Sequence, residues 1–150
     1  MKTAGDISNP TDSDEELRLV RNAKKIALLT IGIAYQKFQG ELEKQQEIPM
    51  NISDIIMEVF AMESAVLRSR KLAAAGKGTN AADMTAVFLR EAMDRLEISS
   101  RQVLGACSHD KDLQQNMAVL RRLANYDPPD AVQLRRNIAT RLLAAGAYTV

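Results

Sequence analysis

Apolar residues recur at every third or fourth position in five stretches of this chain, and this spacing constrains the fold more than any other feature. One face of an α-helix presents residues at that spacing, whereas a half-buried strand alternates residue by residue. The composition agrees, because the chain is rich in Ala and Leu and has only 7 Gly, 4 Pro and no Trp. We therefore expect an all-α fold: an antiparallel helical bundle of about five helices, three long and two short.

The first two helices are bounded by a capping box and a proline. A capping box at 13–16 begins the first helix, which we expect to continue to about Gln46. Pro49 restricts the residue before it, so the second helix is expected to begin with Asn51 or Ser53 as its cap. The apolar spacing predicts this buried stripe on the second helix: Ile52, Ile55, Ile56, Val59, Phe60, Val66 and Leu67.

Turn-forming residues separate the last three helices. A glycine-containing turn at 76–78 precedes the third helix, which Thr79 or Asn80 is expected to cap, and a break at 108–110 ends it. Consecutive prolines lack two amide donors, so 127–130 is predicted to be a turn before a fifth helix that stops at 146. That helix is predicted to bury these residues: Ala131, Leu134, Ile138 and Leu142.

The length of 150 residues suggests one domain. Residues 1–13 are polar with little to bury, so we expect a disordered lead, and residues 14–150 are expected to form a single bundle domain. The longest apolar run is far shorter than the roughly 20 residues that span a bilayer, and the start lacks an apolar signal region. We therefore expect a cytoplasmic protein.

Several chemical classes are disfavoured by the residue content. A formal net charge of +1 argues against binding nucleic acid through charge alone. Cys107 and His109 are the single cysteine and histidine, too few for an internal disulfide or a zinc site, and their spacing places them on different helix faces. The Gly-Lys-Gly-Thr segment at 76–79 lacks the spacing of a phosphate-binding loop, so we interpret it as a helix-ending turn.

Glu63 is the most unusual carboxylate, because it lies on the same helical line as Val59 and Val66. A buried carboxylate must be paired or protonated, so we expect a structural ion pair with an arginine of a neighbouring helix. A catalytic base and an interface contact are the alternatives. The candidate partners are Arg90, Arg95 and Arg101.

Five arginines near the C-terminal end form a candidate patch for a partner or a membrane: Arg121, Arg122, Arg135, Arg136 and Arg141. Such a cluster can bind anionic lipid or an acidic protein surface. Tyr126 is the one aromatic among them, which gives little support to nucleic-acid binding. Solvated helix faces with ion pairs inside the chain are the alternative. These residues alone indicate a helical interaction or scaffold domain.

Four segments, at 21–25, 36–38, 46–48 and 60–68, resemble the C-terminal extension of bacterial acyl-CoA dehydrogenases of the very-long-chain type. The last segment, Phe-Ala-Met-Glu-Ser-Ala-Val-Leu-Arg, is the most specific, and the resemblance covers about residues 14–150. In that family the extension is a helical domain that follows a catalytic unit binding FAD and the acyl-CoA. It is implicated in dimer contacts and, in animal relatives, in attachment to the inner mitochondrial membrane or to assembly partners.

The resemblance implies a non-catalytic C-terminal module of a flavin-dependent enzyme of fatty-acid β-oxidation. Its implied role is dimerisation or docking to a membrane or protein partner, and its implied partners are a second copy and the catalytic unit of the parent enzyme. The alternative is a free-standing helical adaptor or regulatory protein that binds a protein or membrane surface. No nucleic-acid partner is expected.

The chain departs from the full enzymes of that family. Their catalytic unit ends near a Tyr-Glu-Gly-Thr-Asn-Glu motif, and Gly-Thr-Asn at 78–80 lacks the flanking residues. The family's catalytic glutamate, flavin contacts and acyl-CoA pocket therefore have no counterpart, and Glu63 does not inherit a catalytic role. We expect no catalytic residue, cofactor or metal in this chain, with any FAD bound by the parent enzyme.

Overall fold

The computed structural model describes residues 12–148. Within these residues, five α-helices, three long and two short, confirm the all-α prediction. A short 3-10 helix, Gln39–Lys44, joins the first two. The α-helices are α1 Asp12–Phe38, α2 Glu47–Ala74, α3 Thr79–Cys107, α4 Asp110–Ala124 and α5 Ala131–Ala145. Most of the predicted disordered lead, and the capping-box side chain of residue 13, lie outside the described residues, so the boundary at residue 14 stays a prediction.

The three long helices form the centre of the bundle. Ala34 near the end of α1, Ile48 near the start of α2 and Val103 near the end of α3 share one buried cluster. α2 therefore runs antiparallel to both α1 and α3. Outside this centre, α4 packs against α1 and α3, and α5 packs against α3.

The main core lies between α1, α2, α3 and α4. Its fully buried large side chains are Leu19, Ile26, Ile55, Met62, Leu89, Met93, Leu96, Leu104 and Leu120. Burying each such side chain contributes roughly 1.5–3 kcal/mol. The predicted stripe on α5 is on the less exposed side of the helix, but its four residues are only half-buried and not buried as expected. The reason is that α5 packs against α3 alone within the described part of the chain.

The first helix ends earlier than predicted. α1 stops at Phe38, because Gln39 takes a left-handed φ of 45° that interrupts the α-helix. The chain then continues as the 3-10 helix and not as the α-helix expected to about Gln46. This change of direction lets Leu42, together with Phe38, pack against the cluster around Ile48.

The second helix begins earlier than predicted. α2 starts at Glu47, so Pro49 lies in its first turn. Amides of the first turn have no partner inside the helix, and the missing N–H of proline costs little there. Asn51 and Ser53 do not cap the helix, because their side chains donate back to the carbonyls of Glu47 at 2.8 Å and Pro49 at 2.9 Å.

The α2–α3 connection is a tight turn, as the sequence predicts. Gly76 and Gly78 have φ values of 69° and 101°, which favour glycine. Gly78 precedes α3 in place of the predicted Thr79 or Asn80. A Cβ atom at position 78 would lie 2.8 Å from the Cβ of Leu72, whereas position 76 has nothing within 4 Å.

The two glycines of this turn give a matched test of its packing. Gly76→Ala should destabilise the fold by about 1 kcal/mol, since the substitution adds only backbone strain. Gly78→Ala should cost at least about 2 kcal/mol, because it adds a clash with Leu72 to a similar strain. Denaturant melts of both variants measure the difference, and equal losses of unfolding free energy would contradict the packing of this turn.

Candidate functional site

Helix α2 carries apolar residues on two opposite faces. Its buried residues are Ile48, Ile55, Met62, Val66 and Ser69. The opposite face is exposed and is called the α2 stripe here; it consists of Met50, Ser53, Met57, Phe60, Ser64 and Leu67. Met57 is 60% exposed and Phe60 is 72% exposed, so this face presents large apolar side chains to solvent.

The α2 stripe corrects the sequence prediction. Ile56, Phe60 and Leu67 were predicted to be buried, and all three are exposed. A helix can bury only the sides that meet its neighbours, and α2 contacts α1 and α3 but not α4 or α5 in residues 12–148. The apolar residues of α2 extend around more of the helix than those two neighbours cover. A stripe of this width is the signal in the sequence that could have indicated an unpartnered face.

A groove runs beside the α2 stripe, between α2 and α3. This α2–α3 groove has a volume of about 480 Å³ and is more apolar than polar. Its lining residues are Asp54, Met57, Glu58, Ala61, Phe88, Arg95, Ile98 and Ser99. Because Met57 belongs to both the stripe and the groove lining, and Asp54 of the lining lies beside the stripe, the two form one continuous surface.

A bidentate ion pair joins α2 and α3 within the lining of the groove. Arg95 donates from Nε to Glu58 Oε1 at 2.6 Å and from a terminal nitrogen to Oε2 at 3.1 Å. Its guanidinium carbon also lies 5.8 Å from the centre of the Phe88 ring. The hydrogen bond that Arg95 donates to the Glu58 carboxylate is the main reason that the pKa of Arg95 is raised. This ion pair therefore links α2 and α3 along the groove.

Glu63 forms an ion pair, but not the predicted one. Its carboxylate accepts from Lys24 Nζ of α1 at 2.6 Å, and 44% of its side chain is exposed. The expectations of a buried carboxylate and an arginine partner are both wrong, because Glu63 lies at the solvent-facing edge of the α1–α2 contact. Its structural role stays a prediction. The three candidate arginines meet other carboxylates: Arg90 lies near Glu15, Arg95 near Glu58 and Arg101 near Glu97.

An exposed pair of this kind contributes little to stability. Glu63→Ala and Glu63→Gln should each lower the unfolding free energy by less than about 1 kcal/mol. A double-mutant cycle with Lys24→Ala should give a coupling of similar size that falls as salt is added. A loss near 3 kcal/mol in denaturant melts would instead support the buried pair that the sequence suggested.

The five C-terminal arginines do not form one cluster. Arg121 and Arg122 lie on α4, the other three lie on α5, and these helices do not pack against each other within residues 12–148. Arg135 pairs with Glu91 of α3, and Arg141 donates to Asp83 at 2.5 Å. These pairs attach α5 to α3. A role for the five arginines at a membrane or partner stays a prediction.

A wide cleft surrounds the junction of α3 and α4. It has a volume of about 900 Å³, is open to solvent, and includes Cys107, His109 and Lys37. Cys107 is buried, and this burial raises the pKa of its thiol, which Lys37 offsets only in part. Since the thiolate is the reactive form, this environment does not activate Cys107 as a nucleophile. His109 is exposed.

The described residues contain neither a metal-ligand cluster nor a membrane-spanning helix. Among the described residues, no three His, Cys, Asp or Glu side chains are grouped closely enough to hold a metal ion. None of the helices within residues 12–148 combines the length and apolarity needed to cross a membrane.

Tyr126 connects the α4–α5 linker to the core. Its hydroxyl donates to Asp94 of α3 at 2.6 Å. Burial, and then the hydrogen bond to Asp94, raise the pKa of Tyr126 to about 12. Folding therefore favours the neutral phenol, which contributes stability at every pH below its ordinary value near 10.

This contribution should disappear at high pH. The difference in unfolding free energy between the wild type and Tyr126→Phe should be constant below about pH 9 and shrink from pH 10 towards 12, as the phenol loses its donated proton. Denaturant melts across this range measure the difference. Spectrophotometric titration provides a second readout, because the variant should lack an ionisation step near pH 12. A constant difference throughout would contradict the assignment.

Comparison with known proteins finds relatives that share this architecture. A family model described as acyl-CoA dehydrogenase, C-terminal domain, matches residues 22–122. A probable acyl-CoA dehydrogenase of Bacillus subtilis (strain 168) is 36% identical over 140 residues, which are 91% of this chain and 24% of that protein. The crystal structure of an acyl-CoA dehydrogenase complexed with FAD from Bacillus anthracis matches with a TM-score of 0.89 and 36% identity. That match covers 99% of this chain and 25% of the other, so the chain spans about a quarter of these relatives.

The FAD of the Bacillus anthracis relative raises the question of whether residues of this chain fit such a group. A dinucleotide pyrophosphate is usually held by a glycine-rich turn between a strand and a helix. The turn at 76–79 instead joins two helices, and its inner side is filled, because Gly78 backs onto Leu72. The cleft at the α3–α4 junction is open and lined by charged side chains. Neither the turn at 76–79 nor this cleft therefore offers a pyrophosphate site of that kind.

Proposed function

Because the chain belongs to the family of acyl-CoA dehydrogenase C-terminal domains, we propose that it is the non-catalytic helical module of a flavin-dependent acyl-CoA dehydrogenase. The observation that carries this proposal is the match to the Bacillus anthracis enzyme over 99% of the chain at a TM-score of 0.89. At 36% identity, the two share both the helices and the order in which these pack. The parent enzyme acts in fatty-acid β-oxidation, belongs to the very-long-chain type and is cytoplasmic.

The module serves dimerisation or docking. The α2 stripe supports this role, because Met50, Met57, Phe60 and Leu67 are all more than half exposed on one face. Exposed apolar surface of this extent is typical of interfaces. The α2–α3 groove adds a concave part to the same surface, and the ion pair between Arg95 and Glu58 keeps it open.

The catalytic unit of the parent enzyme is the main partner under this proposal. In the Bacillus subtilis relative, about three quarters of the protein lies outside the part that this chain matches. A module that lacks the flavin and substrate residues acts on the reaction through the stability and assembly of that larger part. Docking to a membrane would use the exposed arginines of α4 and α5, including Arg122 and Arg136.

A chimera tests the proposed function. Replacing the matching segment of the Bacillus subtilis protein with this chain should give a soluble protein that keeps bound flavin and acyl-CoA dehydrogenase activity. Deleting the segment should cause aggregation or loss of flavin, because the surfaces that it covers become exposed. Size-exclusion chromatography, the flavin absorbance spectrum and a dye-reduction assay measure these outcomes.

The matched control is the chain by itself, which should bind neither flavin nor acyl-CoA in calorimetry and should reduce no dye. A chimera as impaired as the deletion would contradict the proposed function. Saturable flavin binding by the isolated chain would contradict the non-catalytic assignment.

A further inference from the structure

We propose that the α2 stripe binds the α2 stripe of a second copy of this chain, with the two helices antiparallel about a two-fold axis. This inference rests on the proposed oligomerisation role and names the surface and the partner. It is carried by the spacing of the stripe, the size of its side chains and the distribution of charge along α2.

The stripe has the spacing of a two-helix contact. Its six residues lie at alternating intervals of three and four, which is the pattern of the contact positions in a coiled coil. From Met50 to Leu67 the stripe extends about 26 Å at 1.5 Å per residue. Every one of the six side chains is exposed, so nothing in residues 12–148 covers this face.

An antiparallel register pairs large side chains with small ones. The stripe contains two series of positions seven residues apart: Met50, Met57 and Ser64 form the first, and Ser53, Phe60 and Leu67 form the second. In an antiparallel pair, a residue of the first series lies opposite a residue of the second series on the other helix. Centring the two-fold axis beside position 62 places Phe60 opposite Ser64 of the second copy and Met57 opposite Leu67 of the second copy. The two-fold axis repeats both contacts, so the largest side chain of the stripe meets a serine twice.

Charge along α2 favours the same direction. All of its acidic residues precede position 64, and all of its basic residues follow position 67. An antiparallel pair therefore brings acidic halves against basic halves, whereas a parallel pair brings like charges together. Asp54 and Arg68 occupy equivalent flanking positions, and both are exposed. The register places each Asp54 beside Arg68 of the second copy.

The α2–α3 groove lies on the side of the stripe where this charge pair forms. Asp54 and Ala61 are one flanking row of α2, and both line the groove. The second copy's α2 therefore runs along the mouth of the groove. Ile98 of α3, which is 59% exposed, lines the opposite side of the groove, and the second copy covers it as well.

Charge exchange tests the register in this chain. Analytical ultracentrifugation of the wild type should show a reversible dimer. Asp54→Arg and Arg68→Asp should each weaken dimerisation by about tenfold, because two attractive pairs become two repulsive ones. The double variant, Asp54→Arg with Arg68→Asp, should restore the wild-type dissociation constant. A matched control is Asp127→Arg, an exposed carboxylate away from α2, which should leave it unchanged.

A second pair of variants tests the apolar contact. Phe60→Ser should abolish the dimer, whereas Leu143→Ser, at an 83% exposed leucine of α5, should not. Circular dichroism should show unchanged helix content in both. A wild type that remains monomeric into the millimolar range, or a double charge variant that stays as weak as the single ones, would overturn the proposal.

The same variants show whether a second copy or the catalytic unit covers the α2 stripe. If Phe60→Ser leaves self-association unchanged but makes the Bacillus subtilis chimera aggregate, the stripe faces the catalytic unit and this proposal is wrong. Failure of the proposed function has a different result, namely a wild-type chimera without flavin or activity. The two proposals can therefore fail independently.

Discussion

The burial of α3 against the other four helices is the constraint on which the whole bundle depends. Its residues Leu89, Met93 and Leu96 are fully buried where α1, α2 and α4 converge. Since α4 packs against α1 and α3, and α5 packs against α3, neither of them covers α2 within residues 12–148, and α2 buries only part of its surface. The exposed face of α2 is therefore a consequence of the architecture and not of a local defect in packing.

The sequence was sufficient to predict the fold class and the helices, because apolar periodicity and turn residues are local signals. The boundaries at Gln46 and Pro49 were wrong for a tertiary reason. The chain reverses direction so that Leu42 and Ile48 reach the cluster around Ala34 and Val103. Local rules penalise glycine and proline inside a helix but do not say where the chain must turn to reach its partner. Proline is tolerated in the first turn of a helix, and Pro49 lies in the first turn of α2.

The sequence predicts that a helix exists more reliably than it predicts which face of that helix is buried. Periodicity gives the repeat but not the direction of the core when apolar residues occur on two sides of a helix. On α2 this led to Phe60 and Leu67 being assigned to the core, whereas Met62 is the fully buried residue. The same error placed Glu63 inside, because the apolar line chosen as buried was rotated around the helix. The ion pair with Lys24 depends on the position of α1, which no local pattern specifies.

Met62 and Phe60 are two residues apart and lie on opposite sides of α2, fully buried and 72% exposed respectively. Burial of apolar area contributes about 25 cal/mol per Å² whether the covering surface belongs to the same chain or to another. The helix therefore stabilises the bundle with one face and leaves apolar surface on the other, where any gain from association must first offset the lost translational and rotational freedom of the two partners. Because the two faces share a backbone but no side chains, folding and association depend on different residues. A module of an acyl-CoA dehydrogenase built this way can fold around α3 and still retain an apolar face for its partner.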